Sequence, residues 1–126
     1  MDASSYRRWV ERYIGAWNSN DPDEIGALFA ENALYLTTPY SPPWTGREEI
    51  VRNWLDRKDE PGDTTFDFDV LIADDSIGII KGITRYKKSG LDYHNLWEVR
   101  LDAQERCTEF VEWWIEIPKP DGKSTA

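Results

Sequence analysis

LDYHNLWEVRLDAQERCTEFVEWWIEIP, residues 91–118, decides the fold. At the two-residue period of a strand it places Tyr93, Asn95 and Trp97 on one face of a first strand, and Phe110, Glu112 and Trp114 on one face of a second, with AQE as the turn between them. Large aromatics enclosing one amide and one carboxylate are the composition of a small-molecule pocket, where apolar walls give affinity and a few polar groups fix orientation. The opposite face alternates too: Leu96, Val111, Trp113 and Ile115 lie there with Glu98, Arg100 and Glu109 between them. Both faces therefore need cover.

Working outward, the strand pattern extends upstream. SIGIIKGITRY (76–86) precedes this pair across a KKSG turn, and FDFDVLIA (66–73) precedes that across Asp74–Asp75. Asp67 and Asp69 alternate with Phe66, Phe68 and Val70, as in a half-buried strand with a solvated acidic face. Before residue 60 the period is helical. Tyr6, Trp9, Val10, Tyr13, Ile14 and Trp17 recur at spacings of three and four opposite Arg7, Arg8, Glu11 and Arg12, predicting an amphipathic helix over 4–18. Asp21 and Pro22 open a second helix running to about residue 30, and ALYLT (33–37) reads as a short strand. TPYSPPWTG (38–46) is a loop because of its prolines, and REEIVRNWLDRK (47–58) is a third helix striped by Ile50, Val51, Trp54 and Leu55.

Helices first and hairpins last define an α+β domain, a cone-shaped, strongly bent antiparallel or mixed sheet wrapped around the N-terminal helices. The 126 residues make one domain, with an ordered core of about 5–118 and a polar tail from 119. Seven Trp, six Tyr and four Phe make the chain rich in aromatics. With 24 acidic and 15 basic residues the net charge is −9, which repels nucleic acid and anionic membranes. A single cysteine and a single histidine rule out an intrachain disulfide and a His/Cys metal cage, so no metal and no cofactor are expected. No apolar run reaches membrane-spanning length and no apolar leader opens the chain, so the expected location is cytoplasmic.

VERYIGAWNSNDPDEIGALFAENALYL, the proline-containing loop, TGREEI and the closing hairpin together resemble the nuclear-transport-factor-2-like superfamily. Within it the chain is most similar to the SnoaL-like group and, at its N-terminus, to ketosteroid isomerase. The resemblance spans residues 5–118 and implies a cone-shaped fold that pairs through its outer sheet face. It carries ketosteroid-isomerase roles over unevenly. Tyr13 matches the oxyanion-hole tyrosine, the general base falls at Thr37, and the second oxyanion donor falls at Trp97. Threonine cannot shuttle the proton and an indole is a weaker donor than a protonated acid, so steroid isomerisation is not expected. The cyclase aspartate, the Asp-Arg-Asp set of epoxide hydrolases and the paired histidines of dehydratases have no counterpart.

The candidate acid or base is Glu112. Between Phe110 and Trp114 a carboxylate is desolvated and its pKa rises, which suits proton transfer; the same residue types also fit a carboxylate bonded to Asn95 or Tyr13 to satisfy its own burial. Asn95 either orients a ligand carbonyl or serves Glu112. Tyr13 is the second candidate catalytic group. Trp17, Thr37, Tyr40, Trp44, Tyr93, Asn95, Trp97, Phe110 and Trp114 are candidate contacts for a small, mostly apolar molecule, with Tyr40 and Trp44 presented by the proline-rich loop. Trp54 reads as helix core, His94 as an outward group, and Cys107 as inert. The functional expectation is a cofactor-free isomerase, cyclase or hydratase using Glu112; the alternative is a non-catalytic ligand-binding or interaction module. Exposure of the outer face in a monomer would leave a large apolar patch, so a homodimer through Leu96, Val111, Trp113 and Ile115 is expected.

Overall fold

The computed structural model describes residues 1–119. Helix α1 (Ala3–Ser19) starts at Asp2, whose side chain accepts the Ser5 N–H, and stops at Asn20 in the left-handed region, φ 53°. Its buried stripe is Tyr6, Trp9, Val10, Tyr13 and Ala16, the face predicted from spacing. Helix α2 (Pro22–Ala27) is capped by Asp21 and ends three residues sooner than predicted, because β1 (Phe29–Leu36) begins at Phe29. The Phe29 backbone pairs with Cys107 of β6 (Cys107–Glu116), and the Leu28 carbonyl accepts both the Cys107 N–H at 2.8 Å and the Trp9 indole N–H at 2.9 Å. That long-range pairing takes from the helix a segment whose apolar run fits either state.

The proline-rich stretch is not wholly loop, since Trp44–Thr45 forms a short β2 antiparallel to β1. Helix α3 (Arg47–Asp56) follows, then β3 (Thr64–Ala73), β4 (Gly78–Tyr86) and β5 (Asp92–Leu101). The sheet is open and mixed, in the order β2-β1-β6-β5-β4-β3, with β1 and β6 the parallel pair. This is the expected α+β arrangement. Of the polar tail expected from residue 119, residues 120–126 lie outside the described residues.

One sheet face packs on α1, and the core lies between them. Gly78 of β4 allows that packing, since a Cβ there would lie 2.3 Å from the Tyr6 ring of α1; at Gly82 a Cβ would lie 2.4 Å from the ring of Phe66, which crosses over it from the neighbouring β3. The other face carries Trp113 (47 % exposed), Ile115 (71 %) and Ile72 (60 %), and Trp113 donates its indole N–H to Glu98 Oε2 at 2.6 Å. Among the described residues no helix is long and apolar enough to cross a membrane.

Candidate functional site

The register of β5 and β6 sets the site. Trp97 lies directly opposite Glu112, and Asn95 opposite Trp114, so all four share the inner face. Asn95 Nδ2 donates to Glu112 Oε2 at 2.8 Å, and Trp97 Nε1 donates to the same oxygen at 3.1 Å. Behind Asn95, the Thr84 hydroxyl donates to Asn95 Oδ1 at 2.7 Å, which fixes the amide with its NH2 toward the carboxylate. Glu112 Oε1 accepts no hydrogen bond from the described residues.

Burial raises the Glu112 pKa, and the bonds from Trp97 and Asn95 offset only part of that rise. The residue itself is half-buried because one side faces a cavity of about 320 Å³. Its aromatic wall comes from α1 (Tyr13, Trp17), α3 (Trp54), β1 (Tyr35), β2 (Trp44) and the ends of β4 to β6 (Tyr86, Tyr93, Trp97, Trp114).

A second polar group meets this wall. The hydroxyls of Tyr13 and Tyr35 are 2.7 Å apart and buried. Burial pushes the pKa of each upward, and the negative charge of Glu112 adds to both shifts, so both phenols stay protonated. When one donates to the other, the second retains a proton to give. Tyr13 is held by Trp97 at 4.7 Å and Trp54 at 4.8 Å between ring centroids, and Tyr35 by stacking on Trp44 at 4.7 Å and Phe110 at 4.6 Å. At the mouth, Trp17 Nε1 donates to Asp59 Oδ2 at 2.8 Å, and the Arg57 guanidinium lies 5.2 Å from the centre of the Trp44 ring.

Of the residues singled out from sequence, Glu112, Tyr13, Trp17, Trp44, Tyr93, Asn95, Trp97 and Trp114 meet around this cavity. Phe110 is fully buried behind Tyr13 and Tyr35 and lines no part of it. Thr37 lies in the bend after β1, Tyr40 is 88 % exposed, and neither lines the cavity. His94 is exposed on the outer face, opposite Ile115 and Ile83. Cys107 is buried, and its thiol pKa is pushed up by that burial. No group of His, Cys, Asp and Glu among the described residues could hold a metal ion.

Sequence reading passed over Tyr35, Thr84 and Tyr86, together with Arg57, Lys58 and Asp59, and it read Trp54 as helix core alone. Thr84 and Tyr86 were within reach, since counting by twos along β4 puts them on the face of Ile80. Trp54 belongs to the predicted apolar stripe and touches the cavity as well as the core. Nothing local marks Arg57 to Asp59, which become cavity residues only because α3 ends at its mouth.

An aromatic cavity between a curved sheet and N-terminal helices, with its polar groups on the closing hairpin, defines a class of small α+β proteins. Residues 10–110 match the SnoaL-like domain, and the chain belongs to that family. Among solved structures it is similar to a ketosteroid isomerase-like protein from Kribbella flavida DSM 17836, with 19 % identity, a TM-score of 0.69, and coverage of 94 % of this chain and 83 % of that one. It is also similar to an NTF2-like protein of unknown function from Mesorhizobium loti, with 20 % identity, a TM-score of 0.67, and coverage of 90 % and 93 %. A protein from Sphaerobacter thermophilus matches with 14 % identity, a TM-score of 0.67, and coverage of 85 % and 93 %. At these identities the likeness is one of fold. No curated protein matches the sequence.

Proposed function

We propose that the cavity binds a small, mostly apolar molecule and that Glu112 exchanges a proton with it, in an isomerisation, cyclisation or hydration that uses the protein's own side chains. The observation that carries this reading is the carboxylate itself: it is desolvated, its pKa is raised, it is anchored through Oε2 alone, and Oε1 is left to a ligand. In such a reaction Glu112 takes a proton from a carbon beside a carbonyl and returns it elsewhere. The Tyr13–Tyr35 pair supplies the hydrogen bond that stabilises the oxygen as charge develops there. At about 320 Å³ the cavity is near the small end of ligand pockets, which span roughly 300–1,000 Å³.

Deuterium uptake tests the proton transfer. In D2O, wild type should accelerate exchange at the carbon next to the carbonyl of 2-tetralone, followed by NMR, whereas Glu112→Gln should bind the ketone and leave exchange near the buffer rate. Equal exchange by the two proteins, with binding retained, would refute Glu112 as the base. One observation favours a second reading, binding without turnover: the Thr84–Asn95–Glu112 chain and the Trp97 bond satisfy the carboxylate much as a structural role would require.

The outer sheet face supports a further part of the proposal, a homodimer. Leu96, Val111, Trp113 and Ile115 share that face, with Trp113 about half exposed and Ile115 largely so. A cytoplasmic location completes it, a compartment compatible with a lone, buried thiol.

A further inference from the structure

The charges around the cavity are unequal from base to rim. Glu112 lies on the sheet wall, while Arg57, Lys58 and Asp59 line the mouth just beyond the end of α3. Arg57 and Lys58 are exposed and take part in no ion pair among the described residues, in a chain whose net charge is −9. Among the described residues Arg8 pairs with Glu105, Arg52 with Glu49, Arg85 with Asp67, Lys88 with Glu60 and Arg100 with Glu109; what sets Arg57 and Lys58 apart from the remaining unpaired cations, Lys81 and Arg106 among them, is that they line this cavity. Asp59 forms no ion pair with either rim cation, its Oδ2 accepting the Trp17 indole N–H, and its charge offsets one of the two. Arg57 is held in place over Trp44, itself stacked on Tyr35, so its guanidinium stays at the aromatic entrance.

We infer that the molecule taken up by this cavity is a small aromatic or unsaturated carboxylic acid, its apolar body among the tryptophans and its carboxylate at Arg57 and Lys58. This rests on the proposed ligand-binding role of the cavity and specifies the ligand class. Two cations and one carboxylate leave the rim with one net positive charge, which suits a monoanion; a phosphate dianion would place excess negative charge beside Asp59. A planar guanidinium also presents paired N–H groups that match a carboxylate. Such a ligand enters body first, because Glu112 would repel its carboxylate. The uncharged end, carrying any acidic C–H or hydroxyl, is then the part that meets Glu112, and the rim determines the orientation.

Calorimetry with 4-phenylbutyrate and its uncharged counterpart 4-phenyl-1-butanol tests this. At low salt the acid should bind wild type roughly tenfold tighter than the alcohol, the combined effect of two partly exposed charge pairs, and the preference should shrink in about 0.5 M salt. Lys58→Gln, which disturbs no packing, should cut the preference about threefold. Adding Arg57→Gln should abolish it, and Arg57→Lys, which keeps the charge but not the paired N–H groups, should keep only part of it, each read as the ratio of acid to alcohol affinity within one variant. Equal affinity for the two probes, or a preference that survives the double variant, would overturn the inference and leave the cavity's binding role standing. Binding of neither probe to wild type would overturn the binding role itself, and the inference with it.

Discussion

Replacing Glu112 by glutamine and by leucine separates the charge of the carboxylate from its hydrogen bonds. Asn95 and Trp97 donate to the same oxygen, so a glutamine carbonyl in that place can accept both bonds with its NH2 where Oε1 now lies. The cost is the difference between charged and neutral bonds, about 1 kcal/mol each, partly offset by removal of a charge that burial disfavours. Leucine leaves both donors without an acceptor, where Asn95 is 6 % exposed and Trp97 1 %. An orphaned buried donor costs about 1–3 kcal/mol, so Glu112→Leu should destabilise by about 4 kcal/mol and Glu112→Gln by about 1–2 kcal/mol. Urea denaturation at pH 7 measures both.

The same pair has a pH signature. Because burial raises the folded-state pKa of Glu112, the folded protein keeps this proton to higher pH than the unfolded chain does. The group's contribution is most favourable below the unfolded pKa and is lost as pH rises through the folded one. Glutamine does not titrate, so the glutamine variant should gain on wild type as pH climbs through that window. Equal costs for leucine and glutamine, within about 0.5 kcal/mol, would refute the dependence of Asn95 and Trp97 on the carboxylate. A flat pH difference, with a carboxyl NMR titration at an ordinary value near 4, would refute the raised pKa and the acid–base proposal with it.

Trp113→Glu should place unpaired charges at a two-fold contact and turn a sedimenting dimer into a monomer; a wild type that is already monomeric at micromolar concentration would refute the assigned interface. Tyr13→Phe removes one hydroxyl of the 2.7 Å pair with Tyr35 and should weaken binding of a flat ketone, read by tryptophan quenching, by about 1 kcal/mol. An unchanged affinity would remove Tyr13 from the site. Purified protein should isomerise a Δ5-3-ketosteroid at close to the background rate, because Thr37 is no base and lies away from the cavity lining; rapid turnover would refute the placement of the base.

How much was legible depended on how each register is fixed. The β5–β6 hairpin has a short local turn, so counting by twos put Asn95, Trp97, Glu112 and Trp114 on one face, and the pairing of Trp97 with Glu112 agrees. Helix α1 was legible because a three-four stripe of aromatics has only one amphipathic reading. Tyr35 was not. It reaches the site through the parallel pairing of β1 with β6, whose register shifts between Phe29 and Leu34, and no turn in the sequence records that pairing. The early end of α2 has the same cause. Arg57 and Lys58 were invisible for a different reason: their position depends on where α3 stops relative to a cavity formed by other elements.

The resemblance to ketosteroid isomerase and the observed geometry part company at one strand. By the family pattern a carboxylate on the segment after α2 faces a tyrosine of α1, and Trp97 takes the place of an acidic donor. Here the residue at that base position, Thr37, lies in a bend outside the cavity lining, and Trp97 gives its N–H to Glu112. Among the described residues the cavity is lined by two carboxylates, Glu112 and Asp59. Asp59 sits at the mouth with Oδ2 held by Trp17, whereas Glu112 is set into the sheet wall with its pKa raised. On the proposed reading, proton transfer within this cavity starts from Glu112 on β6. A substrate would have to present its reactive carbon to the sheet wall with its oxygen toward the Tyr13–Tyr35 pair, an orientation that a cationic rim at Arg57 and Lys58 would favour for an acid entering by its apolar end.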